Sequence, residues 1–312
     1  MKRFILKTLL LLLPIAILAA SMEYLLQHIP KDYIYKKNYL DKHSGEIQIL
    51  ILGASDAYYG INPDYFSQNT FNACHVSQSL DLDYEIFKKY QNNFTDLKVI
   101  IISVSYSTLW GQLKGSPESW RLKNYALYYG INTKSLGDYS ELLNVKLRMN
   151  FQRLYDYYFK KKNEIHWSEL GWGTAYKSEN TGDLDESGKE RALSHYIDDI
   201  HSKEKTKIFK ENMEILNSFA EFCNRKNGEL ILLTIPTYHT YSENLNKEQL
   251  NTMVNTLNDF VEKHNNCRYI NWLENPDFAA KDFYDANHLD EAGADKLSKK
   301  LVLYIDSLEI FK

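Results

Sequence analysis

The fold is decided by a stretch that reads QILILGASDAYYGINP, from Gln48 to Pro63. Its apolar run, Ile49 to Leu52, does not alternate with polar residues, which is typical of a strand buried on both faces of a parallel sheet. Gly53 follows at once and permits the sharp turn that ends such a strand. In an open α/β sheet, ligands bind just beyond the carboxyl ends of the strands, so Ser55 is predicted to lie where chemistry takes place. A serine in this position is, however, more often the N-cap of a helix.

A second motif, near the C-terminal end, favours the catalytic interpretation. The sequence YDANHLDEAG runs from Tyr284 to Gly293 and places Asp285 three residues before His288, ahead of a helical pattern. Asp285 can orient the imidazole of His288 and stabilise its protonated form, and His288 can take the proton from the Ser55 hydroxyl. The two motifs together predict a serine nucleophile, a histidine base and an aspartate that orients the base.

These motifs resemble the first and last blocks of the SGNH/GDSL hydrolase superfamily, which are a strand followed by Gly-x-Ser and an Asp-x-x-His sequence. The resemblance spans about residues 46 to 309, and only its two ends match sharply. It implies an α/β fold of the flavodoxin-like kind, a three-layer α/β/α sandwich with a parallel sheet of about five strands. It also implies catalysis through an acyl-serine intermediate formed on Ser55.

Strand and helix patterns alternate along the chain, which indicates parallel pairing with right-handed crossovers. The predicted strands cover residues 46–52, 71–76, 97–104, 229–235 and 268–272. The predicted helices cover residues 81–94, 208–227, 247–264 and 291–308. A segment rich in tyrosine and tryptophan interrupts this pattern from Ser105 to about Glu204. Since such long connections in a compact domain are usually functional, this insertion is predicted to cover Ser55 and to shape the acceptor pocket.

The chain is predicted to have three parts. Residues 1–27 form a membrane anchor or signal segment, residues 28–45 a juxtamembrane linker and residues 46–312 an SGNH-like α/β domain. The apolar segment is near the lower length limit for a membrane span, and Leu18-Ala19-Ala20 is a poor cleavage site, which favours an uncleaved anchor. The basic residues before the span should stay in the cytoplasm, so a single-pass protein with an extracytoplasmic domain is expected.

Composition bears on partners and cofactors. The net charge of −4 gives no reason to expect binding to nucleic acid. The cysteines, Cys74, Cys223 and Cys267, show neither a paired framework nor a Cys-x-x-Cys metal spacing. The sequence contains no phosphate-binding loop, dinucleotide fingerprint or His-Glu-x-x-His motif. It therefore predicts no cofactor and no metal.

The oxyanion hole is the part of the family pattern that this sequence matches least. The second family block resembles Asn-x-Gly-x-Ser-Gly-Gln, in which the second glycine donates its amide. The corresponding stretch runs from Asn72 to Gln78, which both match, whereas Cys74 and Ser77 replace the two glycines. The Ser77 amide could still donate if its backbone adopts the required conformation. Alternatively, Ser77 or Ser79 could cap the following helix, and the two roles are compatible.

The asparagine of the third family block, Gly-x-Asn-Asp, is missing after the strand that ends near Val104. Ser105 and Tyr106 are candidates to supply a hydroxyl in its place. Loss of one oxyanion donor can cost roughly 10²–10³ in rate, which weighs against a fast, general esterase. His239 follows the fourth predicted strand and is a candidate substrate contact, with an exposed loop histidine as the alternative.

Two functions remain open. An anchored, outward-facing domain with this Gly-x-Ser segment looks like proteins that act beside membrane-bound O-acyltransferases, which implies acyl transfer to, or ester hydrolysis on, cell-envelope polysaccharide. Its partners would be an envelope glycan or acyl donor, the membrane and such a membrane-bound O-acyltransferase. The alternative is a non-catalytic SGNH-like domain that binds glycan or a partner protein, and the missing asparagine favours this alternative. Retention of serine, aspartate and histidine in matching order argues against it.

Overall fold

The computed structural model describes residues 1–163 and 165–311, and the chain forms two compact units. The N-terminal unit consists of Met1–Lys37 and Lys114–Ile165, and the sheet unit of Asn38–Leu113 and His166–Lys312. The insertion predicted between Ser105 and about Glu204 is thus divided, because only its middle part belongs to the N-terminal unit.

Helices make up much of both units. The α-helices among the described residues are α1 (Lys2–Gln27), α2 (Asp32–His43), α3 (Ser55–Gly60), α4 (Leu80–Tyr90), α5 (Leu122–Asn124), α6 (Glu141–Asn144), α7 (Leu147–Leu154), α8 (Leu184–Ser194), α9 (Lys203–Arg225), α10 (His239–Ser242), α11 (Lys247–Glu262) and α12 (Glu291–Ser307). Short 3₁₀-helices span Ser44–Glu46, Pro63–Tyr65, Thr108–Trp110, Ser119–Arg121, Leu136–Tyr139, Ser178–Asn180 and Ala280–Asp282. Turns of π-helix span Tyr125–Tyr129 and Tyr155–Phe159.

A parallel sheet forms the core of the sheet unit. Its five strands are β1 (Ile49–Leu52), β2 (Thr70–Asn72), β3 (Val99–Ser103), β4 (Glu229–Thr234) and β5 (Cys267–Asn271). Their order is β2-β1-β3-β4-β5, and Ile51 stands opposite Asn72 on one side and Ile101 on the other. This is the strand order of flavodoxin-like folds. The predicted fold class, with its parallel sheet of five strands, is confirmed.

Helices cover both faces of the sheet, which gives the predicted three layers. On one face, Ile51 belongs to an apolar cluster with Tyr58 of α3 and Leu301 of α12. On the other face, α9 contacts β3 and β4, and α11 contacts β5. There α4 packs on α9, with the ring centroids of Phe87 and Phe219 4.8 Å apart. Every residue of β1 is buried, which explains why this strand reads as an unbroken apolar run.

The chain turns tightly at the carboxyl end of β1. Gly53 has a φ of +136°, and a Cβ atom there would lie 2.0 Å from the Oγ of Ser103 at the end of β3. This conformation and this close approach both require glycine. The Gly53 amide donates to the Oδ1 of Asp83 in α4 at 2.9 Å, and α3 then begins at Ser55. The turn therefore places the serine at the carboxyl edge of the sheet.

The N-terminal unit is built around the C-terminal end of α1. The carboxylate of Glu23 accepts hydrogen bonds from the amides of Glu141 and Leu142, at 2.8 and 2.9 Å, and from the Ser140 hydroxyl at 2.8 Å. Among the described helices, α1 alone is long and apolar enough to cross a membrane, and an N-terminal signal sequence would meet the same criterion. The stretch predicted as a linker, residues 28–45, contains α2.

Candidate active site

Three side chains that are distant in sequence form a hydrogen-bonded series at the carboxyl edge of the sheet. The Oγ of Ser55 lies 2.9 Å from the Nε2 of His288, whose Nδ1 lies 2.8 and 3.0 Å from the two carboxylate oxygens of Asp285. Because the carboxylate accepts from Nδ1–H, Nε2 is left to accept from the Ser55 hydroxyl. The arrangement is the nucleophile, base and carboxylate geometry of a serine triad.

Local structure holds each member in place. Ser55 is partly buried as the first residue of α3. Asp285 and His288 pair across a short antiparallel ribbon of β6 (Phe283–Asp285) and β7 (His288–Leu289). The Asn287 amide donates to Asp285 at 3.1 Å and closes the turn between these strands. His288 is 5% exposed and Asp285 6%, so their hydrogen bond is shielded from water.

Nearby charge keeps Asp285 ionised. Burial would raise the pKa of this carboxyl, but the hydrogen bond and charge of His288, together with the charge of Arg191, outweigh burial and lower the pKa below its ordinary value. The Nη2 of Arg191 lies 3.4 Å from the Oδ2 of Asp285. A carboxylate in this state can orient a histidine and stabilise its protonated form.

A second carboxyl, Asp56, directly follows the serine. Its Oδ1 accepts hydrogen bonds from the Ser103 hydroxyl at 3.0 Å and from the Ala57 amide at 2.9 Å. Burial raises the pKa of Asp56, although these hydrogen bonds and the nearby His288 act in the opposite direction. The pKa values of the two carboxyls near His288 are therefore shifted in opposite directions. The shift favours the charged form of Asp285 and the neutral form of Asp56. Among the described residues, no group of three or more His, Cys, Asp or Glu side chains is arranged to hold a metal ion.

Two backbone amides are candidates to stabilise an oxyanion. Ser77 has a φ of +60°, the left-handed conformation expected of a residue that stands in a glycine's place. The Ser55 amide is at the first position of α3, where amides have no partner within the helix. Within residues 1–163 and 165–311, neither amide donates a hydrogen bond to another protein group. The backbone condition that the sequence set for Ser77 is therefore met.

Gln78 and Ser105, two further predicted site residues, contact other protein groups. The Nε2 of buried Gln78 donates to the Oδ1 of Asp83 at 2.6 Å, so it supports the same aspartate that holds the Gly53 turn. The Oγ of Ser105 lies 3.0 Å from the Oγ1 of Thr108. Neither contact joins these side chains to the triad.

Tyr106 and His239, the remaining predicted site residues, make contacts outside the series of Ser55, His288 and Asp285. Tyr106 is 1% exposed, and its hydroxyl accepts from the amide of Asn246 at 3.0 Å. His239 is exposed at the start of α10, with its Nδ1 3.3 Å from the Oε1 of Glu243. The Tyr106 hydroxyl thus supports the loop before α11, while His239 faces solvent.

Three stacked tyrosines border His288. The ring centroids of Tyr59 and Tyr176 lie 3.7 Å apart, and those of Tyr176 and Tyr284 lie 3.9 Å apart with an angle of 8°. The Tyr176 ring meets the His288 imidazole edge-on, at 5.3 Å and 74°. The tyrosine stack, defined by these three rings, encloses one side of the base. Tyr59 and Tyr284 adjoin the two motifs, but no sequence signal marks Tyr176.

Tyr176 is held there because its segment is fixed on α3. The Nε1 of Trp172 donates to the Tyr59 carbonyl at 2.7 Å, and the Gly173 amide donates to the Tyr58 carbonyl at 2.9 Å. A Cβ atom on Gly173 would lie 2.7 Å from the Tyr59 ring, so this approach requires glycine. Residues 166–176 of the predicted insertion therefore lie beside the triad.

Two further residues that sequence reasoning missed come from α8 and the residue that follows it. Arg191 contacts Asp285 as described, and the Nδ1 of His195 lies 2.8 Å from the hydroxyl of Tyr241. Burial, together with the charges of His288 and Arg191, lowers the pKa of His195 to about 4, so this ring is neutral at pH 7. Since α8 reaches β6 only in the folded chain, no spacing in the sequence could have indicated either residue.

Comparison with known proteins finds likeness in solved structures. No protein-family model and no curated protein matches the chain. A Bacteroides fragilis protein with an inferred acylhydrolase activity aligns over 90% of this chain and 100% of its own, with 10% identity and a TM-score of 0.41. A Streptococcus pneumoniae protein, inferred to be a platelet activating factor, aligns over 94% of this chain and 99% of its own, with 13% identity and a TM-score of 0.43. The sequence identities and TM-scores are low, so the functional argument rests on the residues of this chain.

Proposed function

We propose that this chain is a membrane-anchored serine acylhydrolase or acyltransferase of the SGNH type. It would pass an acyl group through Ser55 either to water or to a hydroxyl of a cell-envelope glycan. The observation that carries the proposal is the hydrogen-bonded series of Ser55, His288 and Asp285, with 2.9 Å between the Ser55 Oγ and the His288 Nε2. A serine hydroxyl is almost fully protonated near neutral pH, and a base at this distance is what activates it.

In the first half-reaction, the Ser55 Oγ attacks the carbonyl carbon of an acyl ester while its proton moves to the Nε2 of His288. Asp285 accepts from Nδ1–H throughout and stabilises the histidinium that forms. The tetrahedral intermediate then collapses. The bond from carbon to the leaving oxygen breaks, that oxygen takes the proton from Nε2, and the acyl group remains on Ser55.

In the second half-reaction, the neutral His288 takes a proton from an incoming hydroxyl as its oxygen attacks the acyl-serine carbonyl. Collapse returns the proton to the Ser55 Oγ and releases the acyl group on the new oxygen. Water as the incoming group gives hydrolysis, whereas a sugar hydroxyl gives transfer. The same two residues therefore serve both outcomes, and the acceptor that reaches the acyl-serine decides between them.

The amides of Ser55 and Ser77 are proposed as oxyanion donors. Both are unpaired among the described residues, and Ser77 has the left-handed conformation that the glycine position demands. No asparagine follows β3, and the Ser105 hydroxyl is engaged with Thr108. With two amide donors and without the third, side-chain donor, we expect a slower reaction than that of a complete hole, by roughly 10²–10³.

Two features favour transfer to a glycan over simple hydrolysis. The tyrosine stack covers one side of His288, which limits the approach of water to the acyl-serine. Partly exposed tyrosines also offer apolar surface with hydroxyl groups, which suits a sugar. The apolar helix α1 would hold the enzyme at a membrane, where a membrane-bound O-acyltransferase could supply the acyl group.

Covalent capture of the acyl group tests this function. The full-length protein in detergent would be incubated with an activated acetyl ester and its intact mass measured. An acetyl adduct is expected in the wild type and in Ser218→Ala, which removes an exposed hydroxyl on α9. The adduct should be absent from Ser55→Ala, and ester turnover in Ser55→Ala or His288→Ala should fall by about 10⁴–10⁶-fold.

A folded wild-type protein that never acquires an adduct would overturn the enzymatic proposal and favour the alternative, a non-catalytic module that binds glycan or a partner. Transfer is tested in the same assay by adding soluble glycan acceptors. An acetylated glycan would support acyl transfer, while release of free acetate alone would restrict the function to hydrolysis.

A further inference from the structure

Exposed apolar side chains are concentrated in the N-terminal unit, and many of them lie outside α1. In residues 114–165, eleven large apolar side chains of the described chain are exposed, against three in the whole sheet unit. The latter are Leu193, Tyr196 and Leu303. Soluble surfaces seldom carry such a concentration unless it contacts a partner or a membrane.

Helix α7 and the π-turn that follows it display the clearest pattern. Leu147, Phe151, Tyr155 and Phe159 recur every four residues, which places them along one side of a helix, and they are 54%, 51%, 51% and 77% exposed. A helix on a soluble surface normally turns its apolar side inward. Here that side faces outward.

The polar side of α7 is the one that faces the protein. Asn150 is fully buried, and its Nδ2 donates to the carbonyl of Glu141 at 3.2 Å. The Nη1 of Arg153 lies 3.0 Å from the buried Glu141 carboxylate, which also accepts from the Nζ of Lys123 at 2.8 Å and pairs with Lys31. These contacts fix the orientation of α7, so its apolar side stays outward.

The same segment is attached to the end of the apolar helix α1. Glu23 holds the first turn of α6 through the amides of Glu141 and Leu142. The hydroxyl of Tyr158 donates to the carbonyl of Leu25 at 3.0 Å. The segment that carries the outward apolar side of α7 is therefore attached to the C-terminal end of the helix that would leave the membrane at this point.

The segment that carries this apolar side is also positively charged. Residues 114–165 contain ten Lys and Arg against five Asp and Glu, a net charge of +5 in a chain whose net charge is −4. Lys160, Lys161 and Lys162 directly follow the apolar run that ends at Phe159. Apolar and aromatic side chains on one side with basic residues beside them are typical of helices that lie in the interface of a membrane with anionic lipid.

We propose that Leu147–Phe159 is an interfacial membrane helix whose outward apolar side inserts among lipid headgroups beside α1. This inference rests on the proposed membrane anchoring and adds a second contact, parallel to the bilayer, with an anionic lipid surface as its partner. Two attachments hold the N-terminal unit in a fixed orientation at the membrane, where α1 alone would permit rotation about its axis.

Fluorophore accessibility tests this directly. The full-length protein, with a polarity-sensitive label on Phe151→Cys, would be reconstituted in vesicles of phosphatidylcholine and phosphatidylglycerol. The native cysteines are buried, which limits their labelling. Quenching by nitroxide-labelled lipid and loss of quenching by aqueous iodide are expected at residue 151. Ile15→Cys in α1 reports insertion of α1, whereas exposed Leu303→Cys on α12 should remain open to iodide.

Three results would overturn the proposal. Iodide access at residue 151 equal to that at residue 303, with Ile15→Cys inserted, would show that the apolar side of α7 lies outside the lipid and is available to a protein partner. Protection from iodide without quenching by nitroxide lipid would indicate self-association. Equal lipid quenching when phosphatidylglycerol is replaced by phosphatidylcholine would remove the role of anionic lipid. The readout needs no catalysis, and Ser55→Ala should behave as the wild type does, so failure here is distinct from failure of acyl transfer.

Discussion

The guanidinium of Arg191 lies 3.4 Å from the Oδ2 of Asp285, on the carboxylate whose two oxygens lie 2.8 and 3.0 Å from the Nδ1 of His288. Its charge helps to keep the pKa of Asp285 low. Arg191→Gln should raise that pKa and move the acidic limb of the kcat/KM profile to higher pH. Because the arginine side chain is 46% exposed, we expect a shift of only about 0.5 pH unit, and less in high salt. Arg191→Lys should shift the limb less, and identical profiles for all three proteins would exclude this role.

The two carboxyls near His288 should differ in their importance. Asp285→Asn removes the acceptor that fixes the histidine tautomer, and kcat should fall by about 10⁴-fold with the fold intact. Asp56→Asn keeps an oxygen for the Ser103 hydroxyl and the Ala57 amide and mimics the neutral form that burial favours, so kcat should change by no more than about tenfold. Ester hydrolysis with circular dichroism as a control checks both. A reversed order would mean that Asp56 acts on the base.

Ser77→Gly should remain active, because the proposed donor is the backbone amide. A residue other than glycine in the left-handed conformation costs about 1 kcal/mol, so unfolding free energy should stay equal or rise slightly. Ser77→Val puts a β-branched residue at that φ and should lower stability by about 2 kcal/mol together with kcat. Ser79, whose φ is −101°, provides the control, since Ser79→Gly should not raise the free energy of unfolding. An inactive Ser77→Gly would show that the hydroxyl itself is required.

Asp83 should make the protein less stable at higher pH. Burial raises the pKa of Asp83 to about 7, although Gln78 and Gly53 donate hydrogen bonds to it. In the unfolded chain the pKa of this carboxyl is about 3.9, so the folded state binds the proton more tightly. Stability therefore falls as the pH rises from about 4 to above 7. Asp83→Asn keeps the acceptor and cannot ionise, and it should be more stable than the wild type by about 4 kcal/mol at pH 8.

Thermal unfolding of the Asp83→Asn variant at several pH values measures this effect. The advantage should shrink towards pH 4, where the wild-type carboxyl is protonated in both states. Asp306→Asn, an exposed position on α12, should show no such trend. A stability difference between Asp83→Asn and the wild type that stays constant with pH would contradict the raised pKa.

Tyr176 should govern the competition between water and a glycan acceptor. Tyr176→Ala removes the middle ring of the tyrosine stack, so it should lower stability by about 2 kcal/mol and decrease the ratio of transfer to hydrolysis several-fold. Tyr176→Phe keeps the ring and should preserve the ratio. Product analysis with a soluble acceptor measures it, and an unchanged ratio in Tyr176→Ala would show that the stack does not exclude water.

Much of the fold could be predicted because its signals are local. The unbroken apolar run of β1 and the period of the helices placed all five strands and the major helices of the sheet unit within a few residues of their observed bounds. The turn after β1 required a glycine, and Gly53 marked it. The Gly-x-Ser and Asp-x-x-His motifs selected Ser55, Asp285 and His288, which the fold brings within hydrogen-bonding distance.

Residues 28–45 and the insertion were harder to predict. The stretch interpreted as a linker contains α2, because its aromatic and aliphatic residues include buried ones such as Tyr33 and Leu40. The insertion was treated as one segment over the serine, whereas residues 114–165 belong with α1 in a separate compact unit. Periodicity reports which side of a helix is apolar but not which surface that side will meet.

Sequence alone was therefore enough to indicate the order of strands and helices, the glycine turn and the three residues of the triad, since each depends on neighbours in the chain or on a motif. The contacts of Arg191 with Asp285, of Tyr176 with His288 and of Glu23 with α6 emerged only on folding. Each joins segments about a hundred residues apart, and such a contact depends on how helices pack and where a loop is fixed. Those packing interactions are set by the whole chain, and no local pattern encodes them.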